Sequence, residues 1–125
     1  MITITSIEAE DKKLLAKADV SLPFHGLEPE GRMLVDSDGS AFVYLLAHGE
    51  DYVQLRFEEK TWNILNTYHE AEWPIYIKTG IKPVELVDFW TEFEFLLDNI
   101  EGNHNYGKEF VEKVEQVFLA ERSEG

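Results

Sequence analysis

Arg32-Met33-Leu34-Val35-Asp36-Ser37-Asp38-Gly39-Ser40-Ala41-Phe42-Val43-Tyr44-Leu45-Leu46-Ala47-His48-Gly49-Glu50-Asp51-Tyr52-Val53-Gln54-Leu55-Arg56-Phe57 is the stretch that decides the fold class. Two apolar runs flank Asp36-Ser37-Asp38-Gly39, and Asp-Gly between such runs signals a hairpin. The second run, Ala41 to Ala47, does not alternate, so it reads as a strand covered on both faces. His48-Gly49-Glu50-Asp51 makes the next turn. Beyond it the chain alternates, with Val53, Leu55 and Phe57 on one side and Tyr52, Gln54 and Arg56 on the other. Residues 32 to 57 therefore predict a three-stranded meander.

On the N-terminal side, Gly26 to Gly31 is rich in turn residues. Ile2 to Ile7 is β-branched, and Leu14 to Leu22 reads as a strand that Pro23 should end. On the C-terminal side the apolar period changes. Trp62, Leu65 and Tyr68, with Ile64 beside them, predict a helix over 58–71, with Glu58 and Glu59 in its first turn. Trp73 to Lys78 predicts a strand, and Thr79 to Pro83 leads towards a helix over 84–101 whose buried stripe is Leu86, Trp90, Phe93, Leu97 and Ile100, widened by Val87, Phe89 and Leu96. Gly102-Asn103-His104-Asn105-Tyr106-Gly107 breaks the pattern before a last helix over 106–121, and Glu121 to Gly125 should fray. The fold class these elements predict is α+β: a mainly antiparallel sheet of four to six strands with two or three helices. The last two helices are expected to form a C-terminal antiparallel pair on one sheet face, all within a single domain spanning 1–125.

Composition narrows the possible activities. The chain has 125 residues, 44% of them hydrophobic and 13% aromatic, which is globular and sufficient for one core. It contains no cysteine, so disulfides, thiolate metal sites and cysteine nucleophiles are excluded, and a reducing cytoplasm fits best. Met1-Ile2-Thr3-Ile4-Thr5 lacks the basic-then-apolar order of a secretory signal, and Ala41 to Ala47 falls far short of the roughly 20 residues that span a bilayer. Twenty-five acidic residues against eleven basic ones leave a formal charge of −14, which repels nucleic acid and anionic lipid. The basic residues are scattered along the chain, and only Lys12, Lys13 and Lys17 lie close together.

None of the local motifs for chemistry is complete. Asp36-Ser37-Asp38-Gly39-Ser40 resembles the start of a calcium loop, but its glycine is fourth and Ala47 stands where the bidentate glutamate belongs. His25, His48, His69 and His104 have no partner histidine within a helical turn; His69-Glu70 would need a second histidine where Trp73 stands. Each therefore reads as a surface or turn residue. No Gly-x-Ser-x-Gly elbow and no phosphate-binding glycine pattern occurs. These absences predict no cofactor and no metal.

The least ordinary feature is the predicted 84–101 helix, which carries Glu85, Asp88, Glu92, Glu94, Asp98 and Glu101 and no lysine or arginine. Like charges three and four residues apart repel, and carboxylates at the C-terminal end oppose the helix dipole. The plain reading is a solvated acidic face, relieved in part by Lys108 and Lys113. The functional reading is a surface for a basic protein partner, with Glu94, Asp98 and Glu101 as the binding residues, or a face used in self-association. A small non-enzymatic binding or regulatory protein follows. The alternative is a small hydrolase or isomerase whose carboxylates and histidine meet only in the fold.

Met33 to Asp38 leading into the Phe42 to Leu46 strand, the aromatic helix around Trp62, Leu97-Asp98-Asn99-Ile100-Glu101-Gly102-Asn103, Asn105-Tyr106-Gly107 and Val114 to Phe118 together resemble one group of proteins. It is uncharacterised protein family 0738, short Bacillus-type bacterial proteins, and the likeness covers roughly residues 30 to 119. The turn from Asn99 to Gly107 is its most specific part. The resemblance implies a cytoplasmic bacterial protein and brings with it no activity, cofactor or catalytic residue. Physically, that turn suits a sharp helix-to-helix corner, because glycine and asparagine tolerate positive φ and an asparagine side chain can cap the next helix.

Overall fold

The structure, a computed structural model, describes residues 2–20, 26–80 and 82–119. The expectations for His25, for the strand stop at Pro23 and for fraying at 121–125 lie outside them.

The chain opens with a hairpin of β1 (Ile2–Glu10) and β2 (Lys13–Ala18). Asp11 and Lys12 join them at φ 52° and 61°, the primed geometry that matches the twist of the flanking strands. The meander comes next as β3 (Leu27–Asp36), β4 (Ala41–His48) and β5 (Asp51–Glu58), paired antiparallel in register Val43↔Leu34 and Val43↔Arg56. A 3-10 turn (Glu59–Thr61) leads into α1 (Trp62–His69). After β6 (Ile75–Ile77) and β7 (Val84–Glu85) come α2 (Phe89–Ile100), a 3-10 turn (His104–Tyr106) and α3 (Lys108–Val114), which runs on as a π turn (Glu115–Leu119).

Among the described residues the α+β class and three α-helices hold, but the sheet departs from the expected four to six mainly antiparallel strands. It has seven, in the order β3-β4-β5-β1-β2-β6-β7. It is mixed, because the β1–β2 hairpin inserts between β5 and β6 and runs parallel to both neighbours, at Ile2↔Leu55 on one side and Leu14↔Ile75 on the other. Gly26 to Gly31, read as a turn, mostly belongs to β3, where Pro29 is accommodated by a register shift before Met33. Residues 84 and 85, read as helix, form β7 instead: Ile77 pairs with Val84, and the Leu86 amide donates to the Ile75 carbonyl at 2.8 Å. α2 therefore starts at Phe89, after Asp88 in the left-handed region at φ 58°.

The sheet curls until its ends approach, giving a nearly barrel-like form. The Tyr44 hydroxyl donates to the Val87 carbonyl at 2.6 Å, and Gly31 takes φ 63°, where a Cβ would be strained and would press 2.9 Å against the Asp88 carboxylate. The inner face carries Ile4, Leu14, Phe42, Tyr44, Leu55 and Phe57, and the helices cover it with Trp62, Phe93, Leu97 and Phe118 in one continuous core. Phe42 lies 4.8 Å from Phe93 and Phe93 lies 5.0 Å from Phe118, both edge-to-face, the geometry aromatic quadrupoles favour. Ala41 to Leu46 is buried throughout, as its unbroken apolar run predicts. On its outer side Val43 is shielded by Leu34 and Arg56.

The Asp36–Ser40 segment forms the hairpin turn between β3 and β4. Asp36 accepts from the Gly39 amide at 3.0 Å and from Arg56 at 2.5 Å, and these bonds hold its carboxyl below the usual value, Arg56 contributing most. A Cβ on Gly39 would overlap both the guanidinium and the carboxylate.

Candidate functional site

Because the stripe Phe89, Trp90, Phe93, Leu97 and Ile100 points into the core, α2 turns Thr91, Glu92, Phe95, Asp98 and Asn99 outward. Phe95 is 60% exposed, whereas Phe93 two residues earlier is fully buried. On the helix surface Glu92 and Asp98 are its neighbours three residues either way, and Thr91 and Asn99 are those four away. The outcome is a large aromatic ring standing in solvent between carboxylates, on a helix whose last turn contains no basic residue.

Of the sequence-nominated residues Glu94, Asp98 and Glu101, the structure does not make one uniform row. Glu94 is half-buried and its carboxylate contacts Nε2 of His69 on α1. Asp98 is exposed near the end of α2. Glu101 is exposed just past the last turn, where its amide donates to the Leu97 carbonyl at 3.0 Å. Lys108 and Lys113, expected to relieve this face, pair instead with Glu112 at 4.0 Å and Glu59 at 3.4 Å.

His69 corrects its reading as a surface residue. It is 6% exposed, its ring stacked on Trp90 at 5.5 Å and edge-on to Phe93 at 5.3 Å. The helical period could have found this, since His69 falls four residues after Leu65 on the buried side of α1. His48 and His104 are exposed, as read. Val87, expected to widen the buried stripe, is 38% exposed because it precedes the helix. Phe95 is the residue that sequence reading passed over. The signal for it was an aromatic outside the apolar stripe of its own helix.

At the N-terminal end of the same ridge lies a cleft of about 220 Å³, floored by Ile75 and Trp90 and bordered by Glu72, Glu85, Asp88 and Thr91. Glu72 and Asp88 both hold positive φ, at 51° and 58°. Thr91 is one helical turn from Phe95, so cleft and aromatic belong to one surface. At the other end, Gly102 and Gly107 take φ 67° and 92°, and the Asn103 side chain accepts from the Asn105 amide at 3.1 Å, which makes the 99–107 corner a structural turn as expected.

No helix among the described residues is long and apolar enough to cross a membrane. No solved structure matches the chain. A relative from Lysinibacillus sphaericus, named UPF0738 protein, is 46% identical over 75% of this chain and 74% of its own length. One from Staphylococcus epidermidis is 41% identical over 96% of this chain and 98% of its own, and the protein named UPF0738 protein YjbL from Bacillus subtilis is 41% identical over 74% and 75%. The model of UPF0738, a family of unknown function, matches residues 2–118. The chain belongs to the UPF0738 family.

Proposed function

We propose that this protein is a small, non-enzymatic binding protein of the bacterial cytosol, and that the outward ridge of α2 receives a basic segment of a protein partner. The observation that carries the reading is Phe95, 60% exposed between Glu92 and Asp98. Exposed aromatics flanked by charge are typical anchors of interfaces, where a few such residues contribute most of the affinity. The flanking carboxylates select for lysine and arginine, and the cleft bordered by Glu72, Glu85 and Asp88 offers a seat for one such side chain. Absence of cysteine fits a reducing compartment.

Histidine and carboxylate do meet, as the enzymatic alternative required, but their setting favours a structural role. The ring is buried between Trp90 and Phe93, Glu94 contacts one ring nitrogen, and His69 does not line the cleft at the N-terminal end of α2. The pair ties α1 to α2.

A photo-crosslinking amino acid at Thr91, introduced in living cells, tests the proposal. It should capture a partner with a basic surface. Phe95→Ala, and separately Glu92→Gln with Asp98→Asn, should each reduce capture about tenfold or more without lowering thermal stability. Undiminished capture in both variants would remove α2 from the interface.

A further inference from the structure

The fold gathers cations that the sequence scatters. β6 pairs parallel with β2 and the Lys78 amide donates to the Ala16 carbonyl at 2.9 Å, which brings Lys78 beside the strand that holds Lys13 and Lys17, while Lys82 lines a cleft together with Lys13. Lys17 is committed to Glu8 at 2.7 Å. Lys12, Lys13, Lys78 and Lys82 have no carboxylate within ion-pair distance among the described residues, although acidic residues outnumber basic ones 25 to 11. Lys13 lies instead over the Tyr76 ring, 5.5 Å from its centroid. Beside it opens a cleft of about 400 Å³, within the range of small-molecule sites, lined by the apolar Leu15, Tyr76 and Pro83 and by charges of both signs, Lys13 and Lys82 with Glu10 and Asp11.

The geometry points to a second, independent site here: a pocket for a small zwitterion with a flat apolar body, such as an aromatic amino acid. The apolar lining fits the flat body. The two uncommitted ammonium groups fit a carboxylate, and Glu10 with Asp11 fits an ammonium group. A simple anion approaches this pocket against a net charge of −14, whereas a zwitterion carries no net charge and is not repelled at a distance. The pocket thus offers both signs of charge to a ligand that carries both.

Amide chemical shifts of the intact protein test this with L-phenylalanine as the probe. Saturable shifts at Lys13, Leu15, Tyr76 and Lys82, in the millimolar range, are expected. N-acetylphenylalanine, phenylalaninamide and glycine remove the ammonium, the carboxylate and the ring in turn, and each should bind about tenfold more weakly or worse, as should the Lys13→Gln/Lys82→Gln double variant. Those side chains are exposed, so the variant's dispersed spectrum serves as the folding control. Two results would overturn the proposal: no saturable shift with phenylalanine, or N-acetylphenylalanine binding as tightly as phenylalanine, which would reduce the pocket to an anion site. Neither outcome touches the α2 interface, which uses other residues on another surface.

Discussion

The phenol of Tyr44 sits where the two ends of the sheet approach each other. It is fully buried on β4, and its hydroxyl reaches across to the Val87 carbonyl at 2.6 Å. Burial pushes its ionisation up to about 12 from an ordinary 10.0, and the nearby Asp88, Glu85 and Glu30 charges add to the effect. Since the folded state holds this proton more tightly than the unfolded chain, the contribution is complete below about pH 10 and is lost as the pH climbs through about 12. Tyr44→Phe should therefore cost about 1 to 3 kcal/mol at neutral pH by leaving a carbonyl unpaired. It should also blunt the alkaline fall in stability; urea unfolding across that range measures both effects. At this scale legibility was uneven. The burial of Leu55 and Phe93 followed from period and that of Phe42 from an unbroken apolar run, whereas the partner of Tyr44 is 43 residues away and the sheet must close before the two can meet. His69 was misread because a polar side chain on a buried helical stripe is only explained by what lies opposite, here Glu94 from another helix.

At the scale of elements, α2 shows stability and recognition pulling apart. Its first turn contains Glu92, which the dipole favours, but its last turn has Asp98 and no cation. Packing of Phe93, Leu97 and Ile100 holds the helix despite this. Asn99→Lys places a cation on an exposed position of that last turn and should stabilise the protein by about 0.3 to 1 kcal/mol at low salt. If the ridge is the partner surface, the same change should weaken capture through Thr91, one gain and one loss from a single substitution. Thermal unfolding and crosslinking yield read them separately; weakened unfolding resistance would refute the helix-dipole argument. The acidity of this helix could be read from the sequence, but its start could not. Pro83 with the apolar residues after it satisfies a helix pattern equally well, and only the pairing of Ile77 with Val84 and of Tyr76 with Glu85 claims residues 84 and 85 for the sheet. Local signals fix the meander and the hairpins because their partners are adjacent in sequence. The parallel seams Ile2↔Leu55 and Leu14↔Ile75 join residues far apart in the chain, and no local pattern announces them.

For the molecule as a whole, a net charge of −14 sets stability against pH in two opposing ways. Self-repulsion favours the expanded chain, so neutralising some carboxylates on mild acidification relieves the folded state. Asp36 acts in the other direction: its carboxyl is held low by Arg56 and the Gly39 amide, and that of Glu8 by Lys17. A group whose folded value is depressed stabilises fully above its unfolded value and loses that contribution as the pH falls through the folded one, so these bonds survive mild acid and fail only below the ordinary 3.8 of Asp36 and 4.5 of Glu8. The thermal midpoint should accordingly rise from neutral pH to a maximum near about pH 5, then drop steeply. About 0.5 M salt should flatten the neutral side, where the repulsion is between exposed charges. It should spare most of the acid side, because the Arg56 side chain is only 10% exposed and its bond to Asp36 is poorly screened. A midpoint that is highest at neutral pH, or a neutral limb indifferent to salt, would mean that the acidic surface is spaced widely enough to cost the fold nothing.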